Sequence, residues 1–558
     1  MPGGELIGDA VAEGSVDELG ALASQLSGSV LALESGAEAG RVEYLAGVPN
    51  EALEGYLEGW RLYRETAYLP AREAFSRALV IDGTFALAAM GLRDAASMGL
   101  DQGRGAISAR ATSILRSNLD HLPPRDRAFL IARLGDADAG RRSSVEVIRD
   151  KDALAQAYPD RAEAWYRLGD RLFHDAEYVA LPDAWEQARA AWDRALEIDP
   201  GLLVVRQHRL WLAGLTRDTA YFEVHAPAYL AVTAGNESES GVHAMHALVF
   251  GDEASETWVR NTLATGSSEH VVQLAGWQWW GPAAWSPEFV DLSLEALDRS
   301  ATPGELAEAV GTRYRVLKNA GRNLEALVER ARLEELTGPD PIAWILENLY
   351  WDGDDEAAQI AAQSIAADLD GAAGALYWNS GGAELCVLTL WRLRSADEST
   401  VAGAIERLRA GADDPDPSHG WNSLCFLVLE AALADVRGEG NAGTLVAELK
   451  RVMGLGSAGG ADYANFELAR MLEARGDFAG AMDAAFSHRS TEISPFYMST
   501  MLREGARLAD LARESEQALE WYRSVLTIFA AADPEYDEEL ARMRARVAEL
   551  EAELGASR

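Results

Sequence analysis

The chain has 558 residues, and 89 Asp and Glu against 50 Lys and Arg leave it with a formal charge of −39. Apolar residues make up 48% and charged ones 25%, an ordinary globular composition that excludes a globally disordered chain. A surface this acidic repels phosphate backbones and anionic head groups, so direct nucleic-acid binding and membrane-surface binding are not expected.

Met1–Ala12 shows no basic segment followed by an apolar core, and no later apolar run reaches the roughly 18 residues of a membrane span. The expectation is a soluble, cytoplasmic chain with no membrane insertion. Alternating β-branched runs do not recur. Amphipathic helices of roughly 10–16 residues follow one another instead, broken by short Gly, Asp or Pro turns. Helices arriving in pairs suggest a 34-residue period.

Residues 1–48, rich in Gly and Ala, read as an N-terminal helical cap or the remnant of a preceding domain. The segment 49–230 holds the clearest repeats. From Gly59 the chain steps 12, 4, 3 and 5 residues to Ala71, Phe75, Ala78 and Gly83. Trp165, Leu168 and Gly169, then Ala188, Trp192, Ala195 and Pro200, repeat the last three steps. Gly169 to Ala188 is 19 residues instead of 12, so an inserted loop containing Pro182 is expected. Two antiparallel helices cross closely only where side chains are small. Gly59 is therefore expected against Ala71, and Gly169 against Ala188, with Phe75 and Trp192 filling the space between hairpins. Asp199-Pro200 stops the second helix.

Residues 231–420 read as divergent helical repeats. The stretch 231–270 is polar and loop-like, and is expected to separate two helical halves. Gly321–Leu327 and Trp351–Ala358 have the loop-then-helix form of a repeat's second helix, and Asp413–His419 is a turn-rich connector. In 421–558, Ala469 and Ala481, then Ala506 and Ala518, keep the 12-residue offset. A charged helix over Tyr536–Leu554 closes the chain as a cap. The fold class expected is all-α: a right-handed superhelix of stacked helix hairpins, roughly 20–28 helices at ~20 residues per helix and loop.

Chemistry-bearing motifs are sparse. Cys386 and Cys425 lie in apolar helical stretches and read as buried, inert thiols, and so few thiols fit a reducing compartment. Gly454–Gly459 fits G-x-G-x-x-G, but a helix precedes it where a dinucleotide fingerprint needs a strand, so it reads as an interhelical loop. His243 and His246 lack a third partner in sequence and read as a packing pair. Trp277, Trp279, Trp280 and Trp285 read as packing within a divergent repeat. The alternative is an aromatic ligand surface, the basis for a helical-repeat enzyme or a small-molecule or glycan binder. No catalytic residue, cofactor site or metal ligand set is expected.

Glu51–Leu92 resembles the tetratricopeptide-repeat (TPR) region that follows kinase, cyclase or DNA-binding domains in bacterial signalling proteins. Leu122–Leu130 and Tyr158–Asp170 are similar to that family, over about 50–200, with faint echoes at 505–550. The kinase motifs themselves are absent: no Gly-rich loop before a catalytic lysine, no His-Arg-Asp, no Asp-Phe-Gly. The resemblance implies a non-enzymatic scaffold or sensory module that holds a partner protein or peptide in a concave groove. The groove positions of the family fall on Tyr56, Trp60, Tyr63 and Arg64, then on Tyr166, Asp170, Phe173 and His174. Some of these aromatics could instead pack against a helix from 17–46. An acidic face steering a basic partner, an effector encoded elsewhere, is a further expectation.

Overall fold

One kind of turn recurs along the molecule. The computed structural model describes residues 26, 39–98, 104–134, 143–175, 181, 183–235, 238–267, 270–271, 274, 287–300, 306–350, 355–371, 381–394, 401–410, 421–455, 464–486 and 498–556. Among them are 27 α-helices, two short 3-10 helices and no strand. At six places among the described residues a helix ends in the same double closure on a left-handed residue: Thr66, Arg217, Gly321, Gly438, Gly476 and Arg513, with φ between 54° and 77°. Each donates its N–H to the carbonyl three residues back, and the next N–H reaches the carbonyl five back. This double closure satisfies carbonyls that a helix end would otherwise leave open, and it turns the chain back on itself.

Three of the six residues are not glycine, and each then bears a steric cost of about 1–2 kcal/mol for the left-handed conformation. Arg513 is exposed, so only that cost bears on its replacement. Arg513→Gly is expected to stabilise the chain by about 0.5–1 kcal/mol after the greater freedom of glycine in the unfolded state is set against it. A higher urea midpoint at unchanged slope checks this.

The turns pair Asn50–Arg64 with Tyr68–Ile81, Leu203–Leu215 with Thr219–Thr233, Leu306–Asn319 with Asn323–Thr337, Trp421–Arg437 with Ala442–Met453, Ala464–Glu473 with Phe478–Phe486, and Met498–Leu511 with Ser515–Ile528. Ala162–Asp175 pairs with Ala184–Ile198 across the inserted segment. The protein is thus an all-α array of antiparallel hairpins, as expected. Pro182, residues 351–354 and the 413–419 connector lie outside the described residues.

Packing inside the hairpins corrects one expectation. Gly59 does not make room for Ala71, nor Gly169 for Ala188. A Cβ on Gly59 would come within 2.6 Å of the Phe75 ring, and one on Gly169 within 2.5 Å of the Trp192 indole. The glycines exist because a fully buried ring from the second helix lies flat over the first. Gly91, on the next helix Ala86–Met98, meets the same Phe75 ring. Phe75 therefore does join one hairpin to the next, packed against a glycine from each.

The stretch 231–270 is also corrected. It is not a loop but contains two helices, Glu239–Phe250 and Glu253–Thr265. Their polar look has a local cause: Ser238, Glu239 and Ser240 are buried at a helix start, and Asp252 caps the second helix by accepting from the Ser255 N–H at 2.7 Å. Apolar clusters run on without a gap, from residues 203–250 to 244–309.

Cys386 and Cys425 are the third correction. They are not free thiols but a disulfide with a Cα–Cα distance of 6.1 Å. The adjacent helices Gly381–Arg394 and Trp421–Arg437 turn these two buried positions toward each other, although 39 residues separate them. The argument from sparse thiols to a reducing compartment lapses with this pairing. Among the described residues, no helix is long and apolar enough to cross a membrane.

Contacts also leap along the array. Arg64 pairs with Asp199 at 2.6 Å, and the Ser238 hydroxyl donates to the Thr66 carbonyl at 3.2 Å. The Val145 N–H donates to the Leu455 carbonyl at 3.1 Å. The hairpin Leu306–Thr337 is stitched to the C-terminal region through Asn319 to Ser499, and Asn323 to Glu535 and Tyr536. The final helix, Asp537–Ala556, buries only Leu540, Met543 and Leu550 and leaves charge on its other faces, as a cap requires.

Candidate functional site

The eight groove positions divide by burial. Tyr56, Tyr63, Tyr166 and Phe173 are inside the first apolar cluster, each under a tenth exposed. Their rings make aromatic core: Tyr56 lies edge-on or tilted to Trp60, Phe75 and Phe85, and Tyr63 lies edge-on to Tyr68. They are packing residues and offer little surface to a docked peptide. The sequence reading placed them on the right helices but on the inward side of the face. Trp60, Asp170 and His174 are half-buried and Arg64 is exposed, so these four edge the accessible part of the two first helices.

Beneath that edge runs a chain of charge. Asp94, buried on Ala86–Met98, accepts from Arg133 Nη2 with both oxygens at 2.7 Å, and Arg167 approaches it at 3.1 Å. These guanidinium groups outweigh the burial that opposes ionisation and hold Asp94 below the usual carboxylate range. Burial and the same crowd of guanidinium groups push Lys151 down to about 8. Asp126 repeats the pattern between Arg41, at 2.5 Å, and Arg161, at 2.8 Å. In the C-terminal half, Glu467 is held by Arg394, by Arg470 at 3.0 Å and by the Tyr350 hydroxyl at 3.0 Å. Each buried acid thus fixes neighbouring elements against one another.

Arg167 continues this chain to Asp170, whose Oδ2 lies 4.0 Å from it. The other oxygen, Oδ1, faces two imidazoles: His174 Nε2 at 3.7 Å on the same helix, and His208 Nε2 at 3.4 Å on Leu203–Leu215. His208 is enclosed by Tyr166, Trp192 and Trp211 and is 1% exposed. Burial pushes it down to about 4. Among the described residues, Asp170, His174 and His208 are a set of His and acidic side chains with one ligand atom apiece, all within 4.8 Å of one another.

His243 and His246 are a hydrogen-bonded packing pair. Both Nδ1 atoms lie on the Ser255 hydroxyl, at 3.1 and 3.2 Å, and His243 stacks on Trp258 at 4.2 Å. Trp277, Trp279, Trp280 and Trp285 lie outside the described residues, as does the end of the Gly454–Gly459 loop. A cleft of about 510 Å³ opens between Tyr350 and the helices Met498–Leu511 and Asp537–Ala556. Arg503, Arg507, Arg542 and Arg546 line it. Each is already paired: with Glu539, Glu473, Glu538 and Asp510 respectively. The cleft is therefore closer to neutral than its arginines suggest.

Sequence reasoning missed His208 and Asp94. Asp170-x3-His174 is legible, since residues four apart share a helix face. His208 joins them only through the stacking of one hairpin on the next, across a loop of irregular length.

The sequence matches no family model and no curated protein. One solved structure aligned with the chain is described as "Structure of Naa15/Naa10 bound to HypK-THB". The two share 12% identity over 90% of this chain and 79% of that chain, with a TM-score of 0.22. At that TM-score the alignment carries no inference about partners or arrangement.

Proposed function

We propose that the chain is a non-catalytic interaction scaffold that docks a protein or peptide partner along the first helices of its N-terminal hairpins, within a bacterial signalling or regulatory assembly. The observation that carries this reading is the accessible row of Trp60, Arg64, Asp170 and His174 above a rigid floor of buried aromatics and Arg–Asp pairs. A rigid floor limits the ordering cost of binding, and half-exposed Trp and Arg side chains are the usual anchors of protein interfaces. The charge of −39 favours a basic partner and accelerates its arrival. The same charge disfavours nucleic acid, and the reading calls for no cofactor and no turnover.

The test uses the full chain immobilised against a lysate of the source organism. A defined partner should be recovered at constant stoichiometry, and its affinity should fall as salt rises. Arg64→Ala, which removes an exposed guanidinium without setting a carboxylate against Asp199, is expected to weaken capture about tenfold, with Trp60→Ala at least as damaging. Capture unchanged by Arg64→Ala rejects the first-helix surface. A turnover assay in which the chain consumes a metabolite rejects the non-catalytic reading.

A further inference from the structure

We propose that Asp170, His174 and His208 form a site for one divalent first-row transition-metal ion, with Zn2+ best suited to the ligand set. Three protein donors would hold the ion, leaving a fourth position open toward the accessible edge of the two helices.

The donor geometry is the first support. A tetrahedral ion with bonds of about 2.0–2.1 Å places its ligand atoms about 3.3 Å apart. Asp170 Oδ1 lies 3.4 Å from His208 Nε2 and 3.7 Å from His174 Nε2, so two edges of the triangle are already near that length. The third fits within the 4.8 Å that bounds the set.

The orientation of His208 is the second. Its Nδ1 lies 2.7 Å from the Val204 carbonyl oxygen. A carbonyl can only accept, so Nδ1 carries the proton, as in metal-bound imidazoles anchored by a backbone carbonyl. Nε2, on a ring that is 1% exposed, is thereby aimed at a carboxylate oxygen. With Nδ1 already donating to the carbonyl, Nε2 is the ring atom left to bind an ion beside Asp170 Oδ1.

The surroundings are the third. Tyr166, Trp192 and Trp211 wall the buried side, while Asp170 and His174 are each about a quarter exposed and give an ion a way in. Arg167 approaches Oδ2 and leaves Oδ1 facing the imidazoles. Both ligand-bearing helices are fixed by packing, which sites of defined geometry require. Nitrogen and oxygen donors in this proportion favour Zn2+ or its neighbours over Mg2+ and Ca2+, which seek oxygen alone.

The experiment is a titration of the chelator-stripped full chain with Zn2+ in competition with a chromophoric chelator, followed by Co2+ absorption spectroscopy. One equivalent should bind with intense tetrahedral Co2+ bands, and excess Mg2+ or Ca2+ should not displace it. His174→Ala and Asp170→Asn should each weaken Zn2+ at least about tenfold, while His121→Ala, on an exposed histidine, should leave it unchanged. Zn2+ should raise the thermal midpoint of the native chain and not that of His174→Ala. Circular dichroism of the metal-free variants confirms their folding, since both substituted side chains reach solvent. Equal affinity in the native chain and both variants, or weak octahedral Co2+ bands, would place the ion on surface carboxylates and overturn the site.

Discussion

Replacing Asp94 with Ala is expected to cost about 3–5 kcal/mol, the penalty for leaving a buried charge without its partner. Arg133 has a side chain only 6% exposed and spends one nitrogen on both oxygens of Asp94. With Asp94 removed, Arg133 loses its carboxylate beside Arg167, Arg93 and Lys151, and Arg167 keeps Asp170, 4.0 Å away. Thermal unfolding followed by circular dichroism should show an early transition in the variant. Hydrogen exchange should map it to the N-terminal hairpins, because a repeat array need not melt as one unit. The pH dependence has a definite sign. Asp94 ionises below its usual pKa in the folded chain, so its contribution is complete above about pH 4 and is lost as the solution is acidified through its folded value. Asp94→Asn should remove that part of the acid sensitivity. Raising the pH should partly relieve the Asp94→Ala defect, as Lys151, already pushed down by burial and the neighbouring guanidinium groups, gives up its proton. A variant as stable as the native chain at pH 7 would show the pair to be dispensable.

Trp192→Ala is the second large effect, at about 3–5 kcal/mol for emptying a fully buried aromatic site. The indole covers Gly169, lies 5.3 Å from Phe173 and stands 5.5 Å from His208. Its loss would therefore loosen two helices together. Gly169→Ala alone should also destabilise, by about 1–3 kcal/mol, because its methyl group would press on the ring. In Trp192→Ala the methyl has space, so the two changes together should cost less than their sum. A urea-denaturation double-mutant cycle reads the difference. Strict additivity would mean that the ring and the glycine do not meet in solution.

The first third of the array was legible because its large rings need glycines opposite them, and each ring keeps fixed steps on its own helix, four after one alanine and three before the next. Gly59 with Phe75 and Gly169 with Trp192 carry that mark, although the partner named from spacing was the wrong one. Farther along, the same hairpin turn is made by Arg217 and Arg513, where the sequence supplies no glycine to announce it. Leu203–Leu215 hides its helical period by burying Gln207, His208 and Arg209, each under a tenth exposed. Glu239–Phe250 hides its start behind buried Ser and Glu. What sequence could not supply was contact between hairpins. The disulfide of Cys386 with Cys425 and the meeting of His208 with Asp170 are both set by how one unit rests on the next.

The bond from Val145 to Leu455, with that from Thr66 to Ser238, changes what kind of object this array is. Stacks that touch only their neighbours behave as springs, stretching and recoiling one unit at a time. Here distant hairpins are tied to one another, so a pull along the chain must part those ties before the units they join can separate. Such ties make the array a braced frame more than a spring.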